Sequence, residues 1–298
     1  MKQSISRHLV SDVKVGILLS GGIDSSLLYY FAQQNDKTLS SFTSLSPNIE
    51  KNSFKLVPKV IKKFPVRNNF FVKQKKEKYL QNLHDLIENT YNLPRWGGGP
   101  PMSKLCEKAN KQNIKVLIGG DGVDEISGGY NTMVDLVKKK NLNSSLTHNT
   151  LTLNTPNFIK KNKYFDDFTK HISNEKKNIL SKLIKIRNFK ERLISSFLIQ
   201  DTGSFLQMCT LPHSDEYSMF NSVELRNPYL DLDLVKFIFN EPIKRKINYN
   251  HSKILFKKLA IQSLGKFIDA EKEGTRNYSK FVSNNYFWNL KKFKIFEV

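Results

Sequence analysis

Two glycine-bearing stretches hold the residues best suited to chemistry. The first is Ser20-Gly21-Gly22-Ile23-Asp24-Ser25-Ser26. Adjacent glycines let the backbone approach an anion closely, and consecutive N–H groups there form an anion-binding nest. Ser20, Ser25 and Ser26 add hydroxyl donors, so the stretch fits a pyrophosphate. A carboxylate repels phosphate, and Asp24 makes sense in such company if Mg2+ sits between them. No Lys follows the second glycine as in a Walker loop, which points away from kinase chemistry and toward cleavage between α- and β-phosphates. The plainer reading is a glycine turn whose Asp24 caps a helix. The second stretch is Gly119-Gly120-Asp121-Gly122-Val123-Asp124-Glu125-Ile126-Ser127-Gly128-Gly129-Tyr130. Its three acids on a glycine-rich loop suit a shared metal and proton handling, or else an acidic turn that caps a helix.

The flanking patterns say what positions these loops. Val15 to Leu19 is a continuous apolar run, as in a strand buried on both faces of a parallel sheet. Asp24 to Gln34 reads as a helix with Leu27, Leu28 and Phe31 at core spacing and Asp24 or Ser25 as its cap. Leu39–Leu45, Phe70–Val72 and Val116–Ile118 read as further strands. Phe54–Phe64 and Lys78–Thr90 read as helices, the first with Pro58 as an awkward break. Alternating strands and helices predict an α/β fold with a parallel sheet and right-handed crossovers. Both glycine turns then fall at strand carboxyl ends, where open α/β sheets bind ligands. The segment 138–188 is Asn-, Thr- and Lys-rich and reads as a connector. It separates a core over 1–137 from a mainly helical lobe over 189–298.

The whole chain has 298 residues, 39% of them hydrophobic and 25% charged, a composition that excludes wholesale disorder. No apolar run reaches the ~20 residues of a membrane helix. The short apolar stretch near the start is crowded by Asp12, Lys14 and Asp24, unlike a secretory leader. Two cysteines, Cys106 and Cys209, exclude a disulfide framework and a cysteine-cage zinc site, and they are expected in the core of a cytoplasmic protein. The net charge is +21, with lysines concentrated in the middle of the chain. No aromatic-interleaved basic motif accompanies them, so the charge reads as a solvated lysine-rich surface that steers anionic substrates rather than as a nucleic-acid site.

Ser20–Ser26 resembles the SGGxDS loop of the ATP pyrophosphatases, which activate a substrate oxygen as an adenylate. The second stretch narrows the resemblance, because it is similar to the GEGxDExFGGY pattern of the asparagine synthetase family. Val223-Glu224-Leu225-Arg226-Asn227-Pro228-Tyr229-Leu230-Asp231 resembles that family's VExRxPFLD, preceded by Asp215-Glu216-Tyr217-Ser218-Met219 for its D-x-x-S-M. Lys253-Ile254-Leu255-Phe256-Lys257 resembles K-x-x-L-R. The likeness runs from about Arg7 to Lys257. Taken by residue type alone, Glu224 and Arg226 form a structural ion pair, Pro228 stops an element and Asp231 caps the next helix.

The resemblance implies an ATP-pyrophosphatase sheet and a set of roles. Leu19, Ser20, Gly21, Gly22, Asp24, Ser25, Ser26, Ser44, Gly119 and Gly120 would contact ATP. Asp24 and Asp124 would hold Mg2+, and Lys253 would act on the α-phosphate and the adenylate. Asp121 stands where the family carries a Glu implicated in handling ammonia, one methylene shorter here. Lys257 replaces an Arg and loses bidentate contact. The acidic pair before a proline becomes Asn92-Leu93-Pro94, and K-x-G-F becomes Glu271-Lys272-Glu273-Gly274-Thr275.

The glutamine-hydrolysing members begin with a glutaminase domain and a nucleophilic Cys after Met1. Lys2 stands at that position here, so ammonia is expected free or from a separate glutaminase subunit. The implied activity is ATP-dependent amidation of a small carboxylate, the aspartate side chain first, giving asparagine, AMP and pyrophosphate. Two alternatives remain: amidation of a cell-surface sugar acid or secondary metabolite, and a tRNA-modifying pyrophosphatase.

Overall fold

The computed structural model describes residues 1–45, 52–73, 76–90, 98–138 and 163–268. Asn92-Leu93-Pro94 and Glu271–Thr275 lie outside these residues. The chain divides into two compact units, each built from separated segments. Met1–Gly120, His213–Pro228 and a segment beginning at Leu259 form the first, and Asp121–Pro212 with Tyr229–Lys258 form the second. The sequence reading cuts the chain linearly, at 137 and 188.

The first unit holds a five-stranded parallel sheet. Its strands are β1 (Val15–Leu18), β2 (Ser40–Leu45), β3 (Asn68–Lys73), β4 (Val116–Ile118) and β5 (Glu224–Arg226), in the order β3-β2-β1-β4-β5. Four of the five were expected. The fifth was not, because three residues ending in Arg carry no strand pattern of their own. β4 supplies the partner, pairing Val116 to Ile118 with Glu224 to Arg226. The expected ion pair is present: Arg226 Nε stands 2.7 Å from Glu224 Oε1, and Nη1 donates to the carbonyls of His8 (3.0 Å) and Val10 (2.7 Å). Arg226 thereby ties the edge strand to the end of α1 (Lys2–Leu9).

The helices of this unit are α2 (Ile23–Asn35), α3 (Asn52–Lys63), α4 (Lys76–Thr90) and α5 (Gly99–Lys111). Pro58 does not break α3. Its ring is exposed and the helix runs on through it to Lys63. Phe42, Leu105, Cys106, Ala109, Ile114, Leu117 and Val223 form one buried cluster. Cys106 is in it, and burial pushes its thiol pKa up to about 12. Cys209 is also buried. Gly16 makes room in the sheet: a Cβ there would fall 2.8 Å from the Phe42 ring and 3.1 Å from the Ser40 carbonyl.

The second unit is helical. It contains α6 (Val123–Ser127), α7 (Asn131–Lys138), α8 (Lys163–Lys182), α9 (Phe189–Asp201) and a π-helix over Thr202–Thr210. Beyond α10 (Leu211–Met219) the chain adds α11 (Leu232–Asn240), α12 (Ile243–Lys246) and α13 (Ile254–Leu264). Asn188 caps α9 by accepting from the Glu191 N–H (3.2 Å), and Asp231 caps α11 by accepting from the Asp233 N–H (3.1 Å), as expected for Asp231. Within the segment 138–188, read from sequence as a connector, residues Lys163–Lys182 form the twenty-residue helix α8. Tertiary packing overrides the weak apolar pattern there. Ile172 and Lys176 are buried, and Gln200 of α9 donates to the Ile172 carbonyl (3.0 Å).

Lys176 is fully buried, with Nζ 3.4 Å from the centre of the Phe197 ring. Burial drives its pKa down to about 7, against the opposing pull of Asp201 and Glu175.

Two outcomes are expected. Gly16→Val forces the Phe42 ring out of place and lowers stability by about 1–3 kcal/mol in urea unfolding. Between pH 7 and the ordinary lysine range the unfolded chain holds the Lys176 proton and the folded chain does not. Stability therefore gains from this group as pH rises through that window, and melts of Lys176→Met show a smaller rise than the wild type.

Candidate functional site

In the first unit, the stretches singled out for nucleotide contact meet at one edge of the sheet. β2, β1 and β4 are adjacent and parallel, so Ser44, the Leu19–Gly22 turn and Gly119-Gly120 all lie at carboxyl ends of neighbouring strands. Leu19 is locked there by backbone: its N–H donates to the Phe42 carbonyl (2.9 Å), and its carbonyl accepts from the Thr43 hydroxyl (2.7 Å). Gly21 has φ +80°, which only glycine adopts cheaply. Neither Asp24 nor Ser25 caps α2. The cap position is Gly22, with no side-chain cap bond, so the plainer reading of Asp24 as a cap fails.

The serines hold the turn in shape instead. The Ser20 N–H donates to Ser25 Oγ (3.1 Å), the two hydroxyl oxygens stand 2.9 Å apart, and Ser25 Oγ donates to the Gly22 carbonyl (3.2 Å). Ser26 Oγ is buried and has no hydrogen-bond partner among the described residues. A buried hydroxyl left so is costly, and a phosphate oxygen would satisfy it. Asp24, in the first turn of α2, carries a carboxylate of the kind that would hold a Mg2+–phosphate complex. Gly119 is pressed from the β5 side: its N–H donates to the Arg226 carbonyl (2.8 Å), and a Cβ would sit 2.8 Å from Asn227 Oδ1.

The other half of the acid motif belongs to the second unit, and its three acids part company. Asp121 and Asp124 are partly exposed. Glu125 is 1% exposed and accepts from the Tyr130 hydroxyl at 2.6 Å. Burial raises its pKa to about 7, with the charges of Asp124 and Asp121 pushing the same way. Glu125 is thus not part of a three-acid cluster, and among the described residues no group of three or more His, Cys, Asp or Glu is placed to hold a metal ion. Nor is α6 capped by an acid, because the cap position is Gly122 at φ +90°.

Lys253 and Asp124, expected on separate grounds, meet. Lys253 Nζ is 2.6 Å from Asp124 Oδ1, with the Lys side chain 3% exposed and the Asp side chain 22%. In a chain crowded with surface lysines, this one is inside. Lys253 has φ +51°, a costly conformation for a residue with a side chain. The turn before it is built by Asn248, whose Oδ1 accepts from the N–H groups of Asn250 (2.9 Å) and His251 (2.8 Å).

Gly129 makes the pairing possible. A Cβ at Gly129 would fall 1.8 Å from Asp124 Oδ1 and 2.0 Å from Lys253 Cε. Sequence reasoning placed Gly129 in the motif without a role. The signal was the repeated glycine before Tyr130, whose meaning depends on a lysine 124 residues later. Gly129→Ala should separate the pair and cost about 1–3 kcal/mol in denaturant unfolding. Gly203→Ala, where a Cβ meets nothing within 4 Å, should leave stability within about 1 kcal/mol of wild type.

Comparison with known proteins adds the family. The pattern described as asparagine synthase matches residues 1–279. The chain is 28% identical over 254 residues to asparagine synthetase [glutamine-hydrolyzing] 2 of Bacillus subtilis, which covers 81% of this chain and 33% of that protein. It is 25% identical over 289 residues to asparagine synthetase [glutamine-hydrolyzing] 1 of the same organism, covering 86% and 45%. The chain therefore spans less than half the length of these relatives. A solved NH3-dependent NAD synthetase from Campylobacter jejuni aligns at TM-score 0.36 and 18% identity, over 68% of this chain and 92% of that one. With the family pattern covering nearly all its residues, the chain belongs to the asparagine synthase family.

Proposed function

We propose that this chain carries out the synthetase reaction of its family: ATP-dependent activation of a carboxylate, with the aspartate side chain as first candidate, followed by transfer of ammonia. A carboxylate oxygen of the substrate attacks the α-phosphorus of ATP. The bond to the bridging oxygen of the β-phosphate breaks, and pyrophosphate leaves. Ammonia attacks the acyl carbon, loses a proton, and expels AMP to leave the amide.

The observation that supports this reading best is the Lys253–Asp124 pair. An ammonium held inside the protein is a fixed positive charge, of the kind that offsets charge developing on a phosphoryl group. The Ser20–Ser26 turn donates hydrogen bonds to the pyrophosphate, and Leu19, Ser44, Gly119 and Gly120 hold the nucleotide by backbone and hydroxyl contacts. Asp24 and Asp124 are the residues that would hold Mg2+, which when bound screens the phosphate charge. Asp121 takes the proton that ammonia loses. Its shorter reach, beside the family's Glu, leaves room for an amine larger than ammonia. Ammonia arrives free or from a glutaminase subunit. The cytoplasm is the compartment we assign, in keeping with a chain that carries only two cysteines. Among the described residues no helix is long and apolar enough to cross a membrane.

ATP–pyrophosphate exchange tests the proposal. Exchange should depend on aspartate, and Asp24→Asn or Lys253→Met should reduce it at least about a hundredfold, the scale of losing one electrostatic contact to a transition state. Exchange with a sugar acid but not aspartate would move the substrate while keeping the chemistry. No exchange across a panel of amino and sugar acids would sink the proposal.

A further inference from the structure

The segment Asp124 to Tyr130 closes on itself. The Gly129 N–H donates to the Asp124 carbonyl (2.8 Å), and Gly128 turns the chain at φ +69°. The Lys253 stem lies directly on the Gly129 backbone, so the Asp124–Lys253 distance is set by where this turn sits. Tyr130, the next residue, reaches back across the turn, and its hydroxyl donates to Glu125 Oε1 at 2.6 Å. Glu125 is the neighbour of Asp124 and is 1% exposed.

The π-helix Thr202–Thr210 braces this bond from the other side. The Phe205 ring meets the Tyr130 ring edge-on, with centroids 5.8 Å apart. Thr210 Oγ1 stands 3.4 Å from the same Glu125 oxygen. In an α-helix, residues five apart diverge by about 140°. The i→i+5 bonding of a π-helix stacks them instead, which brings Phe205 and Thr210 to one face.

We propose that the Tyr130–Glu125 hydrogen bond, backed by Phe205 and Thr210, is a positioning element that holds the Gly128-Gly129 turn so that Lys253 and Asp124 stay in register. The role of that register in catalysis rests on the synthetase reading above, whereas the positioning itself does not.

The experiment uses Tyr130→Phe, which removes one hydroxyl and keeps the ring against Phe205, and Glu125→Gln, which retains an acceptor for the hydroxyl. Gly203→Ala on the π-helix is the control. The first readout is the rate at which an amine-acylating reagent labels Lys253 in the full chain, followed by peptide mass spectrometry. Labelling should rise several-fold in Tyr130→Phe, while Glu125→Gln and Gly203→Ala stay near wild type. The second readout is aspartate-dependent exchange. Tyr130→Phe should lower kcat about tenfold, equivalent to about 1.4 kcal/mol, with KM for ATP within about twofold, because the Ser20–Ser26 turn is untouched. Unchanged Lys253 labelling in Tyr130→Phe overturns the proposal, as does a fall in melting temperature of equal size in all three variants. Changed labelling in a protein with no exchange activity leaves the positioning role standing and removes the synthetase reading.

Discussion

An ammonium and a carboxylate 2.6 Å apart, with the ammonium almost wholly inside the protein, gain Coulomb energy but give up water. Removing two such charges from solvent costs several kcal/mol each, and their attraction repays this only with good geometry. Such a pair is a poor way to make a helical unit stable. The second unit already has an apolar cluster for that, formed by Met133, Leu136, Leu193, Ile194, Phe197, Leu198 and Ile247 among others. The pair is kept at a cost, and the features around it are those that keep it. Gly129 has no side chain, Lys253 is held at φ +51°, and the Asn248 turn leads the chain into that conformation. The costly backbone conformation thus falls on the same residue as the buried charge.

The parallel sheet answers a different demand. A turn whose backbone is already in place would bind an anion at a lower cost than one that must first be ordered. The Leu19 turn is fixed by main-chain bonds to Phe42 and by the Thr43 hydroxyl, and the serines brace one another rather than capping α2. The turn is therefore shaped before any ligand binds, which lowers the ordering cost of binding. The price is a buried Ser26 hydroxyl with no partner among the described residues.

Charge also sorts itself by environment. Among the described residues most lysines and arginines are exposed and solvated. Lys176, Lys246 and Lys253 are the buried lysines among the described residues, and each is buried differently. Lys176 lies on the Phe197 ring, and Lys246 donates to the Phe239 carbonyl (3.2 Å) with its pKa lowered to about 8 by burial. Lys253 alone of the three has a carboxylate of the glycine-rich motif within salt-bridge distance.

Local patterns were enough to place β1 to β4, the loop at Ser20–Ser26 and the acid motif after β4, because each depends on neighbours within a few residues. Apolar runs bounded by glycines make buried strands, and adjacent glycines with serines make a tight turn at a strand's end. β5 was not legible, since Glu224-Leu225-Arg226 becomes a strand only when β4 offers its edge. The helix over Lys163–Lys182 and the π-helix were hidden for the same reason, both being set by packing rather than propensity. Nor could the sequence separate Glu125 from Asp121 and Asp124: three acids in one motif look alike until burial and the Tyr130 hydroxyl distinguish one of them. Residue types and short spacings thus determined what the chain has for chemistry. Which lysine meets Asp124, and which glycine makes room for it, were decided by contacts between residues more than a hundred positions apart, which no local pattern encodes.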